Sequence, residues 1–124
     1  MSRSRPDDRQ SLGRRGESVA AAKLEREGFE IVARNARVGR LELDLIARRG
    51  GLVVICEVRS LRSDRLYAPA LSVGPKKQAR IRQAAARWLA ENPMGPVQVR
   101  FDVASVVFDG PGGEPRVDYY ERAF

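Results

Sequence analysis

Asp44 and Glu57 lie thirteen positions apart, astride the stretch Arg48-Arg49-Gly50-Gly51. Gly-Gly between two apolar runs signals a two-residue hairpin, because glycine accepts the positive φ of the tight turn. With those glycines as the turn, Arg49 faces Leu52, paired residue numbers sum to 101, and Asp44 falls opposite Glu57. Strand alternation then puts Leu43 with Val58, Leu45 with Cys56 and Ala47 with Val54 on one apolar face. The other face carries Glu42 opposite Arg59, Asp44 opposite Glu57, and Ile46 opposite Ile55. Carboxylates about 5 Å apart repel by roughly 3 kcal/mol at an effective dielectric near 20, so something should compensate. A shared proton, a neighbouring arginine or a divalent cation would each do so. Two acidic oxygen ligands completed by water and phosphate oxygens are how Mg²⁺ is usually held, and such a cation could activate water and stabilise a transferring phosphoryl group. The same spacing also fits a metal-free charge network of Glu42, Asp44, Glu57 and Arg59. Glu17 could join the acids, since its helical row of Gly13, Ala20, Ala21 and Leu24 is small and apolar and a carboxylate there is costly unless paired. On spacing alone it fits better as an ordinary exposed glutamate at the edge of that stripe.

Other chemistries are excluded by what the chain lacks. Among 124 residues there is no histidine, which removes imidazole bases, histidine metal ligands and Ser-His or Cys-His nucleophiles. The single cysteine, Cys56, can form no intrachain disulfide and falls on the apolar face, where it reads as a small buried hydrophobe. A reducing compartment suits it, and the polar N-terminus lacks an apolar signal stretch, so the chain reads as cytoplasmic. Lys and Arg number 23 against 16 Asp and Glu, for a formal charge of +7, which suits a polyanion such as nucleic acid. Because 20 of the 23 are arginine, gene base composition is an alternative source of that charge. Eight scattered aromatic residues make no platform for stacking single-stranded bases.

Elements must bring these residues together. Residues 1–10 read as a disordered basic arm, and 11–124 as one domain. From Ser11, Leu12, Gly16, Val19, Ala20, Lys23 and Leu24 recur at helical spacing until Gly28. Strands are expected over about 29–33, 41–47 and 52–60, followed by a basic loop over 61–74. Pro75 opens a second helix whose stripe is Ile81, Ala84, Ala85, Trp88 and Leu89. Strands over about 97–108 and 117–121 complete the order αβββαββ, an α/β or α+β layered fold.

Gly16-Glu17, Asn35-x-Arg37, Glu42-Leu-Asp44-Leu-Ile-Ala47, Glu57-Val-Arg59, Pro75-x-Lys77-Gln78 and Arg100-Phe-Asp-Val103 follow one another in an order that resembles the YraN family, uncharacterised protein family 0102. The likeness covers about residues 11–108. These small bacterial proteins are regarded as similar to Holliday-junction resolvases and to the restriction-endonuclease-like PD-(D/E)xK nucleases. The resemblance implies an α/β fold with a central mixed sheet flanked by helices, and a Mg²⁺-dependent (or Mn²⁺-dependent) phosphodiesterase centre. Carried over, Asp44 and Glu57 would hold the metal and Glu17 would complete the shell directly or through water. Two departures stand out. The family pattern has Gly-Glu-Ile-Asp where this chain has Leu41-Glu42-Leu43-Asp44, and the lysine of the E-x-K element is replaced by Arg59. Arginine supplies charge and bidentate phosphate contact, but its pKa stays too high for proton transfer.

Three functions follow as expectations. The first is a metal-dependent endonuclease acting on structured or branched DNA, with Glu17, Asp44, Glu57 and Arg59 at the reacting phosphate. Lys76, Lys77, Arg80, Arg62 and Arg65 would guide the nucleic-acid backbone. The second is a DNA-binding module on the same scaffold, catalytically weakened through Arg59. The third is an interaction domain, such as a homodimer through the last strand and Tyr119-Tyr120, although those aromatics fit the edge of the core better.

Overall fold

The computed structural model describes residues 8–62, 73–109 and 114–124, with the side chains of 8–11 left aside. Seven elements follow in the expected order: α1 (Asp8–Arg26), β1 (Glu30–Val38), β2 (Leu41–Arg49), β3 (Leu52–Arg62), α2 (Pro75–Glu91), β4 (Gln98–Phe108) and β5 (Arg116–Tyr120). The helix that periodicity starts at Ser11 opens at Asp8, and the first strand runs five residues past the expected Ala33, to Val38. Residues 1–7 of the expected arm, and Arg65 with most of the basic loop, lie outside the described residues.

The five strands form one mixed sheet in the order β1-β2-β3-β4-β5. Neighbours are antiparallel except β3 and β4, which run parallel through the α2 crossover. Both faces are covered. Ala20, Ala21 and Leu24 of α1 pack with Leu45, Ala47, Val54 and Cys56, while Ile81, Ala84 and Ala85 of α2 pack with Ile46, Val53 and Ile55. A central strand buried on both sides reads as a continuous apolar run, which is why 52–56 is Leu-Val-Val-Ile-Cys. Trp88 lies half-buried against the α2-side cluster. No helix among the described residues is long and apolar enough to cross a membrane.

A buried charge fastens the far side of the sheet. Asp102, fully buried on β4, accepts hydrogen bonds from Nε and Nη2 of Arg100, from the Tyr119 hydroxyl and from the Arg122 backbone N–H. Parallel register sets it beside Cys56 on the α1 face, so it does not join the acids of the hairpin. The same hydrogen bond binds Tyr119 within its own chain. Asp102→Ala leaves the guanidinium of Arg100, only 10% exposed, without its buried partner, with only the exposed Glu121 carboxylate at 3.6 Å remaining. Removing one member of a buried pair typically costs about 3–5 kcal/mol, an effect that urea denaturation would read directly.

Candidate functional site

The hairpin forms in the expected register, with Gly50 at φ +60° and pairs from Arg49↔Leu52 to Leu45↔Cys56. There the ladder stops. The expected cross-strand pairs Asp44 with Glu57, Leu43 with Val58 and Glu42 with Arg59 are not part of it. Beyond Leu45 a carboxylate oxygen of Asp44 takes the Val58 N–H at 2.8 Å, so a side chain replaces a carbonyl as acceptor.

Asn35 is the local cause. It lies between the β1–β2 pairs Arg34↔Leu45 and Ala36↔Leu43, hence beside Asp44, and holds φ at +51°. A left-handed residue inside a strand interrupts the pleat, and asparagine is among the few side chains that tolerate it. Residues three apart therefore share a face on both strands. Ala33 and Ala36 pack against the α2-side cluster, and so do Ile46 and Leu43. Strict alternation had assigned Leu43 to the face of Leu45; the break at Asn35 and Asp44 moves it to the other.

Three elements converge on that break. From β3, Glu57 points toward α2, where Lys77 Nζ meets its Oε2 at 2.8 Å. The Glu57 side chain is only 12% exposed, so this ion pair is much less screened than a surface one. From α1 comes Glu17, whose two oxygens receive the Asn35 amide at 3.0 and 3.1 Å. A cavity of about 340 Å³ opens there, lined by Gly13, Arg14, Glu17, Asn35 and Glu42. Asp44 sits between the two approaches and feels Glu57, Glu17 and Lys77 together.

Gly16 permits the approach of α1. A Cβ on Gly16 would stand 1.8 Å from Ser60 Oγ and 3.0 Å from Ser60 Cβ, so helix and strand touch at a position that accepts no side chain. Gly16→Val is expected to cost about 1–3 kcal/mol by overpacking and to shift Glu17 off the sheet, read as a lower melting temperature.

The electrostatics follow from burial. Desolvation, followed by the charge of Glu57, pushes the Asp44 carboxyl from 3.8 up to about 7, against the opposing Val58 hydrogen bond and Lys77. Glu17 is also raised, first by burial and then by Glu42, while Asn35 acts against both. Burial keeps the Cys56 thiol protonated, which fits an inert core residue.

Among the described residues no group of three or more acidic or cysteine side chains is assembled to hold a metal ion. Asp44 and Glu57 together nevertheless offer the donor chemistry of a Mg²⁺ or Mn²⁺ site: two hard-oxygen ligands, with the remaining positions left to water and phosphate. Arg59 lies half-buried on β3, two residues beyond Glu57. Arg62, Lys76 and Arg80 are exposed. Lys77, expected from the sequence to guide a nucleic-acid backbone, is instead the ammonium against Glu57. Two participants escaped the sequence reading in their actual roles. One is Asn35, whose signal was a turn-forming residue amid β-branched and apolar neighbours; the other is Lys77 as a partner of the acid pair, for which spacing offered no signal.

The comparisons with known proteins agree with one another. A family model described as "Uncharacterised protein family UPF0102" matches residues 16–106, from Gly16 of the helix contact to β4. A UPF0102 protein of Anaeromyxobacter dehalogenans is 44% identical over 95% of this chain and 87% of its own length. Another from Sorangium cellulosum is 47% identical over 95% and 83%. A third, from a Parafrankia species, is 48% identical over 93% and 97%. With the family model spanning most of the chain and such relatives covering it nearly end to end, this chain belongs to uncharacterised protein family UPF0102.

Proposed function

We propose that this chain is a divalent-cation-dependent endonuclease that binds structured or branched DNA in the cytoplasm and hydrolyses phosphodiester bonds. The observation that carries the reading is the pair Asp44 and Glu57, held together in a half-buried position although each repels the other. A raised carboxyl beside a like charge is a common mark of a functional site. When bound, Mg²⁺ or Mn²⁺ supplies a Lewis acid for water activation and for the charge of the transferring phosphoryl group.

This chain's own residues do the rest. Asp44 and Glu57 would hold the cation, and the Val58 N–H fixes one oxygen of Asp44 in place. Glu17, oriented by Asn35, would complete the shell directly or through water. Lys77 of α2 brings an ammonium to Glu57, and on this reading it takes the part of the E-x-K lysine that is Arg59 in this chain. On that reading Lys77 stabilises charge at the reacting phosphate, and Arg59 adds a fixed positive charge two residues from Glu57.

Purified protein with Mg²⁺ or Mn²⁺ is expected to nick at least one of a panel of junction, flap and duplex DNAs. Lys77→Met should slow that cleavage by about a hundredfold or more, the usual size for one lost transition-state donor, with DNA affinity changed little. Arg59→Lys should leave it within about tenfold, since an ammonium is already present. Salt-sensitive DNA binding with no cleavage by the wild type, and cleavage gained on Arg59→Lys, would select the weakened binding module instead.

A further inference from the structure

A cleft of about 590 Å³ opens between α2 and the tip of the β1–β2 hairpin, outside the acid pair. Val38, Leu41 and Ala84 provide its apolar surface, and Arg40, Arg80 and Arg87 stand around them. No acidic side chain lines it among the described residues. Leu41 occupies the position where the resembling pattern has glycine, so the departure from that pattern builds the wall of this cleft.

The arginines are not scattered. Lys77, Arg80, Ala84 and Arg87 follow at intervals of three, four and three, which keeps them on one face of α2. The row starts at the ammonium on Glu57 and ends at the hairpin. Across the cleft Gly39 holds φ at +62°, and a Cβ there would lie 3.7 Å from Nη1 of Arg87. Gly39 thus lies near the end of the row, and Arg40, the next residue, lines the same cleft as Arg87. Arg87 has an ion pair with Glu91 at 3.4 Å, but both side chains are more than half exposed, so the pair is worth little and leaves most of the guanidinium fork for a ligand. Three guanidinium groups line one cleft against a single exposed carboxylate, Glu91 at its edge, and a polyanion balances that excess of positive charge.

We propose that this cleft binds backbone phosphates of a DNA strand that leaves the acid pair and runs along α2. The proposal rests on the nuclease reading for the position of the reacting phosphate, and charge complementarity selects the occupant. From Lys77 to Arg87 the helix rises about 15 Å, at about 1.5 Å per residue. Duplex DNA rises about 3.4 Å per step, so the cleft engages the backbone about four base pairs from the bond to be cut. The row thus orients one duplex arm relative to the acids.

The test compares two triple variants of the full chain, Arg40→Gln/Arg80→Gln/Arg87→Gln and, away from the cleft, Arg26→Gln/Arg116→Gln/Arg122→Gln, each losing three charges. Fluorescence anisotropy with a labelled four-way junction and a labelled duplex, in EDTA at several salt concentrations, reads affinity and its salt slope. Circular dichroism verifies that both variants fold. The cleft variant should bind at least about tenfold more weakly and its salt slope should fall by about 3, one per lost phosphate contact, while the other variant changes little. Equal losses in both variants would show a response to net charge alone and overturn the proposal, as would no loss in the cleft variant. A wild type that binds no DNA overturns the cleft and the nuclease together. A wild type that binds through the cleft but never cleaves overturns only the nuclease.

Discussion

Asp44→Asn is expected to abolish divalent-dependent cleavage, lowering the single-turnover rate by about a thousandfold or more. Asparagine keeps the shape of the side chain and an oxygen able to accept the Val58 N–H, so the break between β2 and β3 survives the change. What disappears is one of the two negative charges directed at the cation. Loss of the charge leaves DNA affinity equal or tighter, because a carboxylate near the phosphate is removed. The combination separates a catalytic role from a structural one: a folded variant that binds DNA and does not cut. Wild-type rates in the variant would mean that the cleavage belongs to a contaminant, and the assignment of Asp44 would be withdrawn.

The same substitution should stabilise the protein when no cation is present. Asp44 titrates near 3.8 in an ordinary setting and is raised to about 7 in the folded chain, so the folded state holds the proton more tightly than the unfolded state. Between those values the native form binds more protons, and unfolding free energy falls as pH rises. At about 1.4 kcal/mol per pH unit, that interval corresponds to about 4 kcal/mol lost by pH 8. Urea midpoints in EDTA should therefore show wild type falling behind Asp44→Asn as pH goes from 5 to 8, with a gap approaching that size. Millimolar Mn²⁺ at pH 8 should close much of the gap in wild type and leave the variant unmoved, since a ligand of the native state stabilises in proportion to its occupancy. A variant no more stable than wild type at pH 8 would show that Asp44 bears no such burden. Stability exchanged for a charged site is a familiar trade in functional clefts.

Much of this architecture is legible in the residue order because it depends on local rules. Gly50 and Gly51 set the hairpin register through turn geometry, and the apolar run 52–56 marks a strand covered on both faces. Pro75 opens α2, and the stripe Ile81, Ala84 and Ala85 selects the face that packs. That register ends at Leu45 opposite Cys56, one step short of Asp44 and Glu57, whose proximity is felt as the charge of Glu57 acting on Asp44. Alternation, extended without interruption, then misplaces Leu43, because one left-handed asparagine on a neighbouring strand resets the pleat. A glycine such as Gly16 is visible in a sequence, but the Ser60 side chain that makes it obligatory lies 44 positions away.

The sequence alone therefore determined the order of elements and the hairpin register as far as Leu45 opposite Cys56, since hydrophobic period and turn chemistry act over a few residues. Only the tertiary structure decided which cation meets Glu57, which amide holds Glu17, what satisfies Asp102 and where the arginines gather. Among those contacts are pairs 18 to 20 positions apart, Glu17 with Asn35, Asp102 with Arg122 and Glu57 with Lys77, which depend on how the elements settle around one sheet. No local period encodes that docking, because it is set by the shape of the whole packed core.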